Sequence, residues 1–125
     1  MAGKGIILSA PNSGSGKTVI TLGILRALKN RSIGITSAKA GPDYIDPGFH
    51  AAASGRPCIN LDPWAMRAET IQNNLASTVD GSDLVIGEGV MGLFDGAAGG
   101  NGSTADLAES IGFPVVLVID ARGQA

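Results

Sequence analysis

The chain has 125 residues, a formal net charge of −2, a single cysteine and 19 glycines. This length predicts one domain at most, with a real core but little room for a separate substrate domain. The charge balance and the absence of a basic cluster argue against nucleic-acid binding. One cysteine excludes an internal disulfide or a cysteine metal cluster, as expected in a reducing cytoplasm, and the apolar run after Met1 is too interrupted for a signal peptide or membrane span.

The first predicted element is a buried strand at 4–10, because Ile6, Ile7 and Leu8 follow one another without polar alternation. A turn of small residues follows, and apolar side chains at helical spacing predict a helix at about 17–28. Strand, glycine-rich turn and helix in this order form the context of a phosphate-binding loop, in which unpaired backbone N–H groups point at one anion.

The loop supplies the residue types that a nucleotide needs. Gly14 and Gly16 permit backbone angles that curl N–H groups around phosphate oxygens. Lys17 supplies a cation for the β- and γ-phosphates, and the Thr18 hydroxyl can ligate Mg²⁺. The pattern G-x4-G-K-[ST] requires glycine where this chain has Pro11, so the loop enters with a fixed φ.

These residues predict ATP and Mg²⁺ as ligands, and an ordinary Gly/Ser turn before a helix is the alternative interpretation. The predicted nucleotide-binding residues are Asn12, Ser13, Gly14, Ser15, Gly16, Lys17 and Thr18.

A second concentration of chemistry, S-A-K-A-G-P-D-Y-I-D-P-G-F-H, follows a strand predicted at 33–37. Asp46 before Pro47 predicts the N-cap of a short helix that ends near Gly55. Lys39, Asp43 and Asp46 are thereby expected just beyond the carboxyl end of a parallel strand, where ligands bind in open α/β sheets. A solvated turn with two capping aspartates would explain the same residues.

The remaining elements continue the alternation of strand and helix. In chain order they are a connector at 58–63 that can hold a short extended piece, a helix at 66–77, a strand at 84–87, a helix from a Ser103 cap to about 111 with Asp106 in a capping box, and a strand at 114–120. This order predicts an α/β, P-loop NTPase-like, doubly wound parallel sheet with about four strands. Because the chain stops just after the last strand, we expect a truncated domain whose exposed sheet edge would favour association, such as a homodimer.

Glu88 directly follows the third predicted strand and lies between two glycines. A phosphate-binding loop needs a carboxylate from a neighbouring strand to hold the Mg²⁺ that bridges the phosphates. Glu88 is the candidate, with a solvated loop acid as the alternative. Asp95, also beside a glycine, is expected either to face the same cavity or to be a loop acid.

Binding of Mg-ATP does not define the reaction, because kinases, switches and ligases share this loop. In the partitioning and targeting ATPases of this fold group, a signature lysine stands five residues before the loop lysine, and here that position holds Asn12. This counts against a dimerising switch. A nucleotide-gated partitioning or regulatory module and a small-molecule kinase are the alternative functions.

Five blocks of sequence carry a more specific signal: A-P-N-S-G-S-G-K-T, K-A-G-P-D-Y-I-D-P-G-F-H, N-L-D-P-W, E-G-V-M-G-L-F-D-G and D-A-R-G-Q-A. Together they resemble the N-terminal, ATP-binding part of the cobyrinic acid a,c-diamide synthase family, over essentially the whole chain. Closely similar enzymes act on hydrogenobyrinic acid or nickel-sirohydrochlorin, and the motifs do not distinguish these substrates.

The resemblance implies a cytoplasmic, ATP-dependent, glutamine-hydrolysing ligase of cobalamin biosynthesis. Such an enzyme amidates the a- and c-carboxylates of a corrinoid tetrapyrrole through an acyl phosphate, with nitrogen from glutamine or ammonia. The implied catalytic residues are Lys17, Lys39, Asp46, Glu88 and Asp95, the implied metal ligands are Thr18, Asp46 and Glu88, and the implied substrate contacts are Asp43, Tyr44 and Ile45.

The glutaminase half of this family, with its Cys nucleophile and its His and Glu partners, would lie beyond residue 125. Cys58 lacks the glycine-flanked turn of such a nucleophile and is predicted to be a small buried side chain. His50, the one histidine, is expected to have a structural or substrate-edge role. We therefore expect no catalytic triad within this chain, no glutaminase activity, incomplete synthetase activity and adenine contacts outside this sequence.

Overall fold

The computed structural model describes residues 4–124, in which strands and helices alternate. The elements are β1 (Gly5–Ser9), α1 (Lys17–Asn30), β2 (Ile35–Ala40), α2 (Asp46–Ser54), β3 (Cys58–Leu61), α3 (Ala68–Val79), β4 (Leu84–Glu88), α4 (Thr104–Ile111) and β5 (Val115–Leu117). Within the described residues, no helix has both the length and the apolar character needed to cross a membrane.

All strand pairs of the sheet are parallel, and the strand order is β3-β2-β4-β1-β5. The predicted α/β fold with a doubly wound parallel sheet is confirmed. The described residues contain five strands, one more than expected, because β3 occupies part of the connector predicted at 58–63. This strand has four residues and depends on pairing with β2, a long-range contact that local sequence does not reveal.

The continuous apolar strands pack against helices on both faces of the sheet. Ile7 and Val85 belong to a core cluster with side chains of α3 and α4, whereas their chain neighbours Leu8 and Ile86 pack with Leu25 of α1 on the opposite face. Successive strand residues point to opposite faces, so an uninterrupted apolar run serves both clusters. The interpretation of these strands as buried on both sides is confirmed.

Three element boundaries differ from the sequence-based prediction in ways that affect the site. Strand β4 includes Glu88 as its last residue, so Glu88 lies in the strand and does not follow it. Strand β2 extends to Ala40, so Lys39 lies inside the strand and not beyond it. Helix α2 begins after Ile45, and the Asp46 side chain makes no capping hydrogen bond. Asp43 fulfils the role expected of Asp46, since its Oδ1 accepts hydrogen bonds from the backbone N–H groups of Ile45 at 2.8 Å and Asp46 at 3.0 Å.

The capping box predicted before α4 is confirmed. Ser103 Oγ accepts a hydrogen bond from the Asp106 N–H, and an Asp106 carboxylate oxygen accepts one from the Ser103 N–H at 2.8 Å. Gly112 ends the helix with φ of 72°, a left-handed conformation that favours glycine. At the sheet edge, Val116 and Leu117 of β5 are exposed, and whether this edge supports a homodimer stays a prediction.

Candidate nucleotide and metal site

Residues of three neighbouring strands form the site on one face of the sheet, at the carboxyl ends of the strands. β4 lies between β1 and β2, and the register places Leu8, Glu88 and Lys39 in one row across them. Leu8 packs in the cluster on the α1 side, so Glu88 and Lys39 face the same helices. Residues far apart in the chain therefore meet where β1 leads into the glycine-rich loop.

The glycine-rich loop leads from β1 into α1, so the N-terminus of α1 lies at the same end of the sheet. Gly14 and Gly16 have φ of 83° and 86°, and Gly16 is the N-cap of the helix. No side chain among the described residues caps α1, and its first turn holds no acidic residue. The positive end of the helix is thus left for an anion, so the loop fits a polyphosphate.

Glu88 is the centre of the site, with 1% of its surface exposed. Its Oε2 accepts hydrogen bonds from Thr18 Oγ1 at 2.8 Å, Lys39 Nζ at 3.1 Å and Lys17 Nζ at 3.4 Å. Burial raises the pKa of Glu88, but its contacts with His50, Lys39 and Thr18 outweigh burial and lower that pKa to about 2. The carboxylate is therefore ionised at neutral pH.

Lys17 and Lys39 approach the same atoms from two different elements. Besides contacting Glu88, each ammonium donates a hydrogen bond to the Gly89 carbonyl oxygen at 2.7 Å. Burial and the neighbouring charge of Lys39 lower the pKa of Lys17, although Glu88 opposes this. Two cations held together in this way form a strong attractor for a phosphate or carboxylate.

His50 contacts Glu88, and the sequence analysis did not identify this contact. It is fully buried, and its Nε2 lies 2.8 Å from Glu88 Oε1. Burial lowers the pKa of His50, but hydrogen bonds with Cys58 and Glu88 raise it to about 9. Its position four residues after Asp46 in α2 places both on one helix face, and that spacing could have indicated a shared site.

Cys58 completes a chain of contacts that was not expected. Its Sγ lies 3.5 Å from His50 Nδ1, so Cys58, His50 and Glu88 do form a Cys–His–Glu arrangement. Cys58 is also half-buried, not fully buried as predicted, because it begins β3 at the sheet edge. The thiol does not line the phosphate cavity described below, and the acid of this arrangement already binds both lysines.

The two aspartates after β2 differ in their surroundings. Lys39 Nζ lies 3.6 Å from an Asp46 carboxylate oxygen and 3.9 Å from one of Asp43. Backbone N–H donors lower the pKa of Asp43 although burial opposes them, whereas burial and the negative charges of Glu88 and Asp43 raise the pKa of Asp46. Asp43 is thus anchored by its own turn, whereas the similarly exposed Asp46 has negative neighbours whose repulsion a bound cation would offset.

A cavity of about 530 Å³ lies over these groups. The glycine-rich loop forms one wall, Lys39, Asp43 and Asp46 form another, and Val90 and Met91 close it. Hereafter it is called the phosphate cavity. Its volume lies within the range of about 300–1,000 Å³ that is typical of small-molecule sites.

Comparison with known proteins agrees with the sequence motifs. No family model matches the chain. The chain is 56% identical over 116 residues to hydrogenobyrinate a,c-diamide synthase of Rhizobium meliloti (strain 1021), covering 93% of this chain and 27% of that protein. It is 58% identical over 124 residues to the Brucella anthropi synthase (98% and 28%) and 53% identical over 128 residues to that of Mesorhizobium japonicum (100% and 29%).

The chain is similar in sequence to part of the a,c-diamide synthase family. The resemblance predicted from the five sequence blocks is thereby confirmed. The chain spans between a quarter and a third of the length of the curated relatives it matches.

The residues singled out by the diamide synthase resemblance fall into two groups. The structure brings together six of them around the phosphate cavity: Lys17, Thr18, Lys39, Asp43, Asp46 and Glu88. The other group lies apart from this centre. Tyr44 and Ile45 are 94% and 70% exposed, and Asp95 does not line the cavity but accepts a hydrogen bond from the Gly92 N–H at 2.8 Å.

The oxygen donors beside the glycine-rich loop fit a magnesium ion. Among residues 4–124, no group of three or more His, Cys, Asp and Glu side chains forms a complete metal cage. Mg²⁺ in nucleotide sites usually takes one or two carboxylates, with phosphates and waters filling its other positions. Thr18 Oγ1 and Glu88 Oε2, which are 2.8 Å apart, are hard oxygen donors beside the loop, and an Asp46 carboxylate oxygen lies 3.6 Å from Lys39 Nζ, which also contacts Glu88.

Proposed function

We propose that this chain is the ATP-binding part of a ligase that amidates the a- and c-acetate side chains of a corrin, either hydrogenobyrinic or cobyrinic acid. The observation that carries the proposal is the convergence of Lys17, Thr18 and Lys39 on the Glu88 carboxylate beside a phosphate-binding loop. The three relatives described above are named hydrogenobyrinate a,c-diamide synthases, which supports the corrin substrate and favours the hydrogenobyrinic form.

The reaction needs activation because a carboxylate is a poor electrophile. In the proposed first step, an acetate oxygen forms a bond to the γ-phosphorus of ATP, the bond from that phosphorus to the β,γ-bridging oxygen breaks, and ADP leaves. Ammonia then attacks the acyl carbon, inorganic phosphate leaves with the electrons of the C–O bond, and a proton passes to solvent. Such transfer depends mainly on positioning and charge neutralisation.

Each residue near the loop has a role in this scheme. The N–H groups at the start of α1 and Lys17 bind the β- and γ-phosphates. Lys39 neutralises charge on the transferred phosphoryl group, and its fixed, buried position makes that neutralisation effective. Thr18, Glu88 and Asp46 would hold Mg²⁺, and a bound Mg²⁺ would offset the negative charge of the phosphates.

The substrate side of the proposed site is formed by the turn after β2. Asp43 shapes this turn, and the exposed Tyr44 and Ile45 are offered to the macrocycle. Asp95 acts indirectly by fixing the loop at Gly92. Nitrogen would come as free ammonia or from glutamine through a glutaminase unit outside these residues. Cys58 is not assigned that role, because it does not line the phosphate cavity.

The proposal is tested by assaying the full-length protein with ATP, Mg²⁺ and hydrogenobyrinic, cobyrinic or nickel-sirohydrochlorin substrate, using glutamine or ammonia. We expect a diamide product from a corrin and ADP release that depends on the macrocycle. Hydroxylamine in place of ammonia should give a hydroxamate, since it traps an acyl phosphate. An ATP hydrolysis rate that none of the three macrocycles changes, together with ATP-dependent dimerisation, would instead support a partitioning module.

A further inference from the structure

A second cavity of about 600 Å³ adjoins the phosphate cavity. It is called the Trp64 groove here, and its walls include Pro42, Trp64, Ala65, Met91, Ala97 and Ala98. Both cavities are lined by Val90 and Met91, which form a ridge between them. The turn after β2 also joins them, because it gives Pro42 to the groove and Asp43 and Asp46 to the phosphate cavity.

The backbone under Trp64 is fixed while its ring stays accessible. Buried Asp62 accepts hydrogen bonds from the Trp64 N–H at 3.0 Å and the Ala65 N–H at 3.1 Å. Gly102, with φ of 80°, packs so closely that a Cβ there would lie 2.8 Å from Trp64 Cβ. Yet 69% of Trp64 is exposed. A large aromatic ring held on a rigid base and left open to a cavity is a good platform for a flat ligand.

Met91, on the ridge, has a left-handed backbone conformation that is unfavourable for a residue with a side chain. Its φ is 52°, and outside glycine such residues persist where the surroundings fix them, often at ligand sites. The surroundings here are tight: the Leu93 N–H donates to the Ala10 carbonyl at 2.8 Å, and a Cβ on Gly92 would meet the Pro11 oxygen at 2.5 Å. The ridge is therefore tied to the phosphate-binding loop itself.

We propose that the Trp64 groove binds the apolar face of the corrin macrocycle, so that a peripheral acetate crosses the Val90–Met91 ridge to reach Lys39. This inference rests on the proposed function. A corrin has an extended apolar ring with carboxylates at its rim, which matches an apolar groove beside a pair of lysines. Apolar contacts are also non-directional, so one groove accepts the ring in the two orientations that successive amidation of the a- and c-acetates requires.

The test compares substitutions in and near the groove in the full-length protein, with hydrogenobyrinic acid as the probe. Trp64→Leu removes the aromatic platform, and we expect it to raise the KM for the macrocycle by about threefold to tenfold while the KM for ATP stays unchanged. Trp64→Phe should restore most of the affinity. Phe94→Leu is the matched control, because Phe94 is an 82% exposed aromatic nearby that does not line the groove.

A second variant keeps the inference testable if Trp64→Leu folds poorly. Ala98 is an exposed groove residue, so Ala98→Asp should leave the fold intact while its negative charge weakens binding of a polycarboxylate macrocycle. Binding measured by macrocycle absorbance without ATP should weaken in both groove variants. An unchanged KM in both, or an effect confined to Tyr44→Leu, would overturn the groove assignment alone. If the wild-type protein binds ATP but amidates no corrin, the proposed function fails and the groove assignment fails with it.

Discussion

Replacing Glu88 with glutamine would remove one negative charge from the centre of the site while keeping the shape of the side chain. Contacts with His50, Lys39 and Thr18 hold the Glu88 pKa at about 2, against an ordinary value of 4.5. A carboxyl lowered this far contributes about 3 kcal/mol to the free energy of unfolding at neutral pH. Removal of one partner from a buried ion pair typically costs about 3–5 kcal/mol, which agrees with this figure.

The lower end of that range is expected, because His50 can compensate. Its pKa is raised to about 9 by contacts with Cys58 and Glu88, against the opposing effect of burial. When Glu88 is replaced, one of these contacts loses its charge and His50 more readily releases its proton. The site then carries one positive charge fewer around the two lysines, which limits the loss.

The measurement is urea unfolding of the purified protein with EDTA and without nucleotide, from about pH 3 to pH 8. We expect Glu88→Gln to lower the free energy of unfolding by about 3 kcal/mol at neutral pH. The folded-state pKa is lower than the unfolded-state value, so this stabilisation is complete above pH 4.5 and is lost as the pH falls toward 2. Below pH 4.5 the wild type should therefore approach the variant by about 1.4 kcal/mol per pH unit.

The control is Glu109→Gln, which makes the same chemical change on the exposed side of α4. Its effect should stay within about 0.5 kcal/mol at every pH. A Glu88→Gln variant that unfolds within about 0.5 kcal/mol of the wild type at neutral pH would refute the reasoning. The same holds if the difference between the two proteins does not narrow in acid.

Four further substitutions test other parts of the site and fold. Lys39→Gln should lower kcat/KM for amidation by about 100-fold or more, while Lys4→Gln, at an exposed lysine, should leave it unchanged. His50→Leu removes a hydrogen-bond partner of Glu88 and should raise the Mg²⁺ concentration needed for half-maximal activity with ATP. His50→Gln can still donate to Glu88 and should bring that concentration back toward the wild-type value. Gly16→Ala forces a side chain into φ of 86° and should cost about 1 kcal/mol in urea unfolding and raise the KM for ATP. Ser103→Ala should cost about 1 kcal/mol in the same unfolding assay without changing the KM for ATP.

The glycine-rich loop could be predicted because its signal is local. Gly14 and Gly16 are needed for backbone angles that each residue adopts itself, and both have positive φ in the structure. The capping box at Ser103 is local in the same way, since its hydrogen bonds span three residues. Features whose physical cause lies within one turn of chain can be inferred from the residues of that turn.

The surroundings of Glu88 could not be inferred in this way, because they depend on strand order. β4 is inserted between β1 and β2, and only this order places Glu88 in one row with Lys39 and beside the loop that carries Lys17. The contact with His50 further requires α2 to lie on the same face of the sheet as α1. A motif could indicate that these residues belong to one site, but their distances depend on long-range packing.

The turn at 43–46 shows why two nearby acids should not be given the same role. Asp43 Oδ1 accepts hydrogen bonds from two backbone N–H groups, so the charge of Asp43 is already stabilised within the turn. Within residues 4–124 no backbone N–H group donates to the Asp46 carboxylate, and burial together with the charges of Glu88 and Asp43 raises its pKa. A cation in the phosphate cavity would relieve the repulsion between Asp46 and Glu88. Its binding would be strengthened little by Asp43, whose charge is already stabilised by backbone N–H groups. Ion binding at this edge should therefore depend on Asp46 and Glu88 together, with Asp43 setting the path of the chain that brings Asp46 to Lys39.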